Sequence, residues 1–214
     1  MANGPRADAP QTNGPQTNAP QTNAPQTNGP QADAPRADAP VADDPLAADL
    51  LFLREEEKLA RDVYLTLFEK WRLMPHQNIA SSEQTHTDRV RSTLAVFNLA
   101  DPVADDSVGV FVNVQLAALY TDLVNKGLSS EIGSLEVGAT IEDLDIRDLN
   151  QMINRTQDPS VLAMYDALQC GSRNHLRAFT SQLSMRGVTY QPQFLDRAEY
   201  DAILAGSHER CGRR

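Results

Sequence analysis

The chain has 214 residues and a formal net charge of −10 at pH 7. Phosphate backbones are bound by basic surfaces, so this acidity argues against nucleic acid as a partner; the one cationic cluster lies in residues 210–214. No apolar run is long enough to cross a bilayer, and no apolar leader opens the chain. We therefore expect a soluble protein with neither nucleic acid nor membrane as a partner.

Two cysteines, Cys170 and Cys211, are too few for a disulfide scaffold or a four-cysteine metal site. A reducing cytoplasm is therefore the expected compartment. We expect Cys170 to be either a small buried side chain or a free surface thiol, and we assign no role to Cys211.

A proline recurs at every fifth position from Pro5 to Pro45. The units between the prolines are mainly Gln-Thr-Asn and Ala-Asp, which offer almost no apolar surface to bury. Residues 1–44 should therefore form a disordered, partly polyproline-like tail, which is either a spacer or a neutral repeat expansion. We expect the folded domain at residues 45–206 and a flexible C-terminal tail at residues 207–214.

The first helix is predicted over residues 45–71, because its apolar positions step by three and four. Glu57 lies in the middle of this apolar stripe. The stripe predicts that Glu57 alone of the three adjacent glutamates at residues 55–57 faces inward. Its members are Leu53, Glu57, Ala60, Tyr64, Leu67 and Trp71.

The second helix, which ends at about Phe97, carries the Glu-x-x-His motif of Glu83 and His86. Residues at i and i+3 share one face of a helix, and this face continues the apolar stripe through Ile79 and Val90. A buried ionised carboxylate is costly unless it has a partner, and a metal ion satisfies both residue types. The motif alone is weak, because the same spacing occurs in solvated pairs and caps on surface helices.

A long crossover follows, with an acidic stretch at residues 101–106 and a short helix over residues 114–126 that Gly127 closes. This helix has an apolar face and should pack on the bundle. The third main helix is predicted over about residues 134–155, with Glu142 and Asp145 one turn apart. The fourth runs over about residues 159–185 and places His175 on its apolar stripe, and a last short helix over residues 196–205 crosses one end.

Four long helices thus carry a carboxylate or an imidazole within an apolar stripe. Bundles that bind two iron or two manganese ions have this pattern, with a Glu from each of two helices, Glu-x-x-His from the other two, and one long crossover in the ferritin-like topology. The predicted fold is therefore all-α, a ferritin-like four-helix bundle with an extra helix in the crossover and a disordered N-terminal tail.

Four segments, EEEKLARDVY, SEQTH, GATIEDLDIRDL and GSRNHLRAF, resemble in order the ferritin-like family of domain of unknown function 2202, over about residues 48–204. The first segment also resembles the first helix of rubrerythrins. Ser172 stands where the last motif would have glutamate, so either Asp145 supplies the missing carboxylate or one metal position is weak or empty. The resemblance implies the metal ligands Glu57, Glu83, His86, Glu142, Asp145 and His175.

Carboxylates with imidazole suit iron or manganese, whereas zinc favours nitrogen and sulfur ligands in four-coordinate sites. We therefore expect two iron ions, with manganese as an alternative, in an oxidoreductase that acts on oxygen or peroxide. The electron donor would be external, because the chain has no four-cysteine site of the rubredoxin type, and we expect a homo-oligomer. Two alternatives stay open: an iron-binding ferroxidase or storage protein, and a structural module that has lost its metal chemistry, as Ser172 would allow.

Several other residues carry weaker expectations. Tyr64 and Tyr165 lie on the inward stripes and are core aromatics or neighbours of the site. Three arginines, at positions 61, 173 and 177, are either salt-linked to the ligand carboxylates or solvated. His76 and His208 fall outside the stripes and are given no role.

Overall fold

The computed structural model describes residues 44–211, and the predictions for residues 1–43 and 212–214 lie outside this range. The described residues form helices and no strand, which confirms the all-α class for them. None of these helices is long and apolar enough to span a membrane. The six helices are α1 (Pro45–Trp71), α2 (Met74–Val96), α3 (Val114–Leu128), α4 (Glu131–Ile153), α5 (Pro159–Ser184) and α6 (Arg197–Ala205).

Local capping by side chains explains where α1, α4 and α5 begin. The Asp44 side chain accepts from the Leu46 amide, and Asp158 accepts from two amides at the start of α5; a proline follows each cap at the first helical position. α4 begins at Glu131, earlier than predicted, because the Ser130 side chain accepts from the Gly133 amide.

The expected end of α3 at Gly127 was wrong. The helix continues to Leu128, and its last turn is closed by the Ser129 amide, which donates to the Lys126 carbonyl. Gly127 is buried, and a Cβ there would lie 2.6 Å from Leu67 Cδ2. The absence of a side chain therefore serves the close approach of α3 to α1.

The long helices pack as a bundle in which α1 lies along α2 and α4 lies along α5. The crossover between α2 and α4 contains α3, which packs on α1 and α4 as predicted. At one close approach between α4 and α5, a Cβ on Gly138 would lie 2.4 Å from the Phe179 ring.

Two apolar clusters fill the bundle, and on α1, α2 and α5 the predicted ligand positions lie between them along the chain. One cluster includes Leu59, Tyr64, Leu67, Ile79, Leu135, Phe179 and Leu183. The other includes Leu50, Leu53, Val90, Leu94, Leu149, Met152 and Tyr165. The apolar stripes therefore supply the packing on both sides of a polar layer that contains the candidate site.

Candidate metal centre

The six side chains predicted as ligands come from four helices and are all buried. Glu57 lies on α1, Glu83 and His86 on α2, Glu142 and Asp145 on α4, and His175 on α5. Each has a relative exposure between 1% and 8%. A cluster of this kind is costly to bury unless its charges are paired or bind cations.

Five of these residues form two overlapping groups of three. Glu57, Glu83 and His86 place one potential ligand atom each within 4.8 Å of one another, and so do Glu83, Glu142 and His175. Glu83 therefore belongs to both groups. We call them the first triad and the second triad.

The contacts within the triads are short. In the first triad, His86 Nδ1 lies 2.8 Å from Glu83 Oε2 and 3.1 Å from Glu57 Oε2. In the second, His175 Nδ1 lies 2.7 Å from Glu83 Oε1 and 3.4 Å from Glu142 Oε2. One oxygen of Glu83 thus faces each imidazole, which is the arrangement that a bridging carboxylate requires.

Unpartnered atoms test whether this donor set fits metal ions. Glu83 Oε1 and His175 Nδ1 are 2.7 Å apart, yet neither has a hydrogen bond of acceptable geometry. Glu57 Oε1 is also buried without a hydrogen-bond partner. Buried polar atoms normally have such partners. Carboxylate and imidazole lone pairs that point toward one another without hydrogen bonds are therefore suited to binding a cation. Two imidazole nitrogens with carboxylate oxygens suit iron or manganese.

Neighbouring groups orient the donors. The Tyr64 hydroxyl donates to Glu142 Oε1 over 2.5 Å, and His175 Nε2 lies 3.0 Å from Ser82 Oγ. When Nε2 donates to the serine, Nδ1 is free to face the carboxylates, as in other histidine ligands that are held by a second partner. Gly171 leaves room for the His86 imidazole of the first triad, because a Cβ there would lie 2.5 Å from His86 Nε2.

Without metal, the electrostatics favour charged imidazoles beside Glu83. Burial acts to lower the pKa of His175, but the charges of Glu83 and Glu142 outweigh it and raise the pKa to about 10. Burial acts to raise the pKa of Glu83, but the two imidazolium charges hold it well below its ordinary value. Burial raises the pKa of Glu57 to about 7. Any metal ion that bound here would therefore have to displace protons from the imidazoles, which would make its binding pH-dependent.

Comparison with known proteins identifies the family. The sequence matches the uncharacterized protein domain DUF2202 over residues 47–207. The chain belongs to this family. It is 52% identical over 161 residues to the uncharacterized protein MJ0754 of Methanocaldococcus jannaschii, a match that covers 75% of this chain and 87% of that relative. The crystal structure of the hypothetical protein MJ0754 from Methanococcus jannaschii DSM 2661 has a TM-score of 0.77 and 48% identity, and the match covers 82% of this chain and 100% of that one.

The DUF2202 chain buries more carboxylates than its sequence predicted. The expectation that only Glu57 of the three adjacent glutamates faces inward was wrong, because Glu55 and Glu56 are buried as well. α3 packs on α1, and Glu55 accepts from the Val112 amide of the crossover over 2.6 Å. The helical stripe alone could not reveal this second layer.

Glu56 is the functional candidate that sequence reasoning missed. Both of its carboxyl oxygens are buried without a hydrogen-bond partner. It lines a narrow cavity of about 10 Å³ together with Glu57, Glu83, Glu142 and Asp145, which is roughly the space of one water molecule. Burial, followed by the charge of Asp145, raises the pKa of Glu56 well above its ordinary value. The only available signal was the run of three glutamates at residues 55–57.

Asp145 lies beside the triads and in neither of them. Ser172, which replaces the glutamate of the resembling motif, donates a short hydrogen bond to Asp145 Oδ2. The other oxygen, Oδ1, is buried without a partner. Burial raises the pKa of Asp145 well above its ordinary value. The structure thus pairs Ser172 with Asp145, which lines the cavity.

The arginines do not contact the triads. Arg61 binds Asp62 and Asp106, whereas Arg173 and Arg177 both bind Glu209. The proposed salt links to the ligand carboxylates were therefore wrong for all three arginines, because each has nearer acidic partners outside the site.

The buried side chains of Tyr165 and His76 belong to neither triad. Tyr165 lies in the apolar cluster with Leu50, and its hydroxyl has no hydrogen-bond partner. His76, to which we had given no role, is fully buried, and its Nε2 lies 3.2 Å from Ser134 Oγ. Of the two predicted tyrosines, Tyr64 alone contacts a triad residue.

The two cysteines are joined. Cys170 and Cys211 form a disulfide with a Cα–Cα distance of 5.6 Å. Cys170 is buried, as one of its two alternatives had it, but the alternative of a free surface thiol and the absence of a role for Cys211 were wrong. The pairing spans 41 residues and depends on the path of the chain after α6. Residues 207–211, predicted to belong to a flexible tail, are therefore tied to α5. Disulfides are uncommon in a reducing cytoplasm, and the predicted compartment stays a prediction.

Proposed function

We propose that this protein is a ferritin-like oxidoreductase that binds two iron ions at the triads and acts on oxygen or peroxide. The observation that carries the proposal is the shared position of Glu83, whose two oxygens face different imidazoles. A carboxylate that bridges two ions needs this geometry, whereas a mononuclear site does not. Helix order and the crossover position also agree with carboxylate bundles that hold two metal ions.

The donor set favours iron, with manganese as the nearest competitor. Each triad offers two carboxylates and one imidazole, and no thiolate. Zinc sites are usually four-coordinate and rich in nitrogen or sulfur, so this set suits zinc less well. Redox-active ions held by a shared carboxylate would supply the electron transfer to a small oxidant.

The chain's own residues would position the ions and limit access. Glu57 and His86 would hold the first ion, Glu142 and His175 would hold the second, and Glu83 would contribute to both positions. On the carboxylate side, the cavity of about 10 Å³ admits only a very small molecule. The apolar clusters on both sides exclude bulk water, which strengthens the electrostatic interactions within the site.

Electrons would have to come from another molecule. The chain has only two cysteines, and these form the Cys170–Cys211 disulfide, so it cannot build an iron site with four cysteine ligands. An external donor is therefore part of the proposal, as is a substrate no larger than oxygen or a peroxide.

Calorimetric titration of the metal-free protein with ferrous ion, without oxygen, tests the site. Wild type should bind about two ions per chain. Glu83→Gln should lose both, whereas Glu57→Gln and Glu142→Gln should each lose one. Glu131→Gln is the control, because Glu131 is part-exposed and pairs with Arg186 away from the site. Two ions bound by Glu83→Gln would contradict the shared site.

The reaction is tested with the same loaded protein. Mixing it with one equivalent of hydrogen peroxide or of dissolved oxygen should oxidise the iron, which absorption spectroscopy follows. If loaded wild type were oxidised no faster than ferrous ion in buffer, the protein would bind metal without acting on either oxidant.

A further inference from the structure

The C-terminal segment, residues 207–211, returns from α6 and lies along α5. The Glu209 carboxylate accepts from Arg173 and Arg177, with nitrogen–oxygen distances of 2.5 Å and 2.8 Å. Asn174 holds the segment backbone in both directions: its Nδ2 donates to the Glu209 carbonyl over 3.0 Å, and its Oδ1 accepts from the Glu209 amide over 2.9 Å. The segment is thus seated on one face of α5.

A covalent bond closes this arrangement. Cys211 at the end of the described chain is joined to Cys170, which lies near the middle of α5 and is 8% exposed. Cys211 is half-buried and is the more accessible partner. The disulfide therefore fixes the segment beside Gly171, the residue against which the His86 imidazole packs.

The segment forms a wall of a groove that reaches both imidazoles of the triads. This groove has a volume of about 630 Å³, and its lining joins Ser82, His86, Gly171 and His175 to residues 208–211. The narrow cavity on the carboxylate side is lined by neither imidazole. The groove is thus a wide approach to the imidazole side of the candidate metal centre.

We propose that Cys170–Cys211 is a thiol–disulfide exchange site whose reduction releases one wall of the groove and widens access to the metal centre. The inference rests on the proposed function, because it concerns access to the same triads. Its partner is a dithiol reductant, either a small molecule or a protein with two neighbouring thiols. When Cys170 and Cys211 form the disulfide, the segment is held on α5. When both are reduced to thiols, the segment is released.

The exchange balances in two steps. One thiolate of the reductant attacks the more accessible Cys211 sulfur, the disulfide breaks, and Cys170 leaves as a thiolate that takes up a proton. The second thiol of the reductant then displaces Cys211 from the mixed disulfide. Two electrons and two protons pass from the dithiol to the pair, which yields two cysteine thiols and an oxidised reductant.

After reduction, only non-covalent contacts hold the segment. Glu209 lies near the surface, and ion pairs there contribute little to stability. The Arg173 guanidinium, with Arg177, holds the pKa of Glu209 at about 2, so these pairs persist at neutral pH but stay exchangeable. The reduced segment should therefore open frequently, as loosely held chain ends do.

Release of ferrous ion to a chelator, without oxygen, tests the inference. The loaded protein is mixed with excess bipyridine, and the absorbance of the ferrous complex is followed. Oxidised wild type should release iron slowly, whereas wild type treated with dithiothreitol and the variant Cys211→Ser should release it at least about tenfold faster. Iron content before mixing should be equal in all three.

The controls separate covalent closure from other effects. Dithiothreitol should not change the rate for Cys211→Ser, since that variant has no disulfide to reduce. Glu209→Gln loses charge pairing but keeps the disulfide and should release iron as slowly as oxidised wild type. In the part of α5 that belongs to the apolar clusters, the amides of Cys211→Ser should exchange hydrogen at the same rate as those of wild type. Equal rates would verify that the variant is folded.

Two outcomes overturn different claims. Equal release rates in oxidised wild type, reduced wild type and Cys211→Ser, with full iron content in each, would refute the gate and leave the metal site intact. An absence of bound iron in every variant would refute the proposed function itself. In that case, unchanged hydrogen exchange of residues 207–211 on reduction would refute the release of the segment independently.

Discussion

Gly171→Ala is a small change whose effect can be worked out from the geometry of the first triad. The new Cβ would lie 2.5 Å from His86 Nε2 and 2.6 Å from its Cε1, whereas ordinary contacts begin at 3.4 Å. The difference, 3.4 minus 2.5, means that the ring must retreat by about 0.9 Å. Metal–ligand distances tolerate only about 0.2 Å, so His86 would leave its proposed ligand position.

The expected cost falls on metal binding more than on folding. Displacement of one ligand should weaken the first metal position at least 10- to 100-fold, roughly the range found when ligand support is removed. For folding, alanine gains about 1 kcal/mol over glycine within a helix, and overpacking costs about 1–3 kcal/mol. The free energy of unfolding of the metal-free protein should therefore fall by no more than about 2 kcal/mol.

The assay is anaerobic titration with ferrous ion, combined with urea unfolding of the metal-free protein. Gly127→Ala is the matched control, because its Cβ would meet Leu67 at a similar distance, 2.6 Å, and Leu67 is not a triad residue. That variant should bind both ions normally. If Gly171→Ala bound two ions with wild-type affinity, either His86 is not a ligand or its ring has space that the structure does not show.

Two further predictions concern stability without metal. Burial lowers the pKa of His76 to about 4 from an ordinary 6.5; the unfolded chain therefore takes up this proton first as the pH falls. The free energy of unfolding should drop by roughly 3 kcal/mol between pH 6.5 and pH 4 from this group, and His76→Gln should remove that part of the decline in urea unfolding; an unchanged pH profile would contradict it. Ser172→Ala leaves a buried oxygen of Asp145 without its donor and should cost about 1–3 kcal/mol. Ser184→Ala on the exposed part of the same helix is its control, and an equally small loss for both variants in urea unfolding would contradict the structural role of the bond.

The helical periodicity of the sequence predicted most of the candidate site. Glu57, Glu83, His86 and His175 lie on apolar stripes that step by three and four, and packing two helix pairs brings such stripes together. The long crossover and its extra helix could also be predicted, because the composition changes there and proline and glycine residues interrupt the helical pattern. These features depend on local spacing, which a sequence carries directly.

The missed features depend on contacts between distant parts of the chain. Glu56 is buried because residues of α3 and α4, among them Leu119 and Asp145, line the cavity beside a face of α1 that the stripe leaves open. The Cys170–Cys211 bond depends on how the chain returns after α6, a path that no local pattern encodes. The partnership of Ser172 with Asp145 requires the register of α5 against α4. Each of these needs tertiary geometry, and periodicity supplies none of it.

Metal analysis of protein purified without oxygen from iron-replete cells tests the central claim most directly. The two triads predict about two iron ions per chain, with both ions lost from Glu83→Gln purified in parallel. Wild type that contains no iron, or the same iron content in both proteins, would contradict a shared two-ion centre.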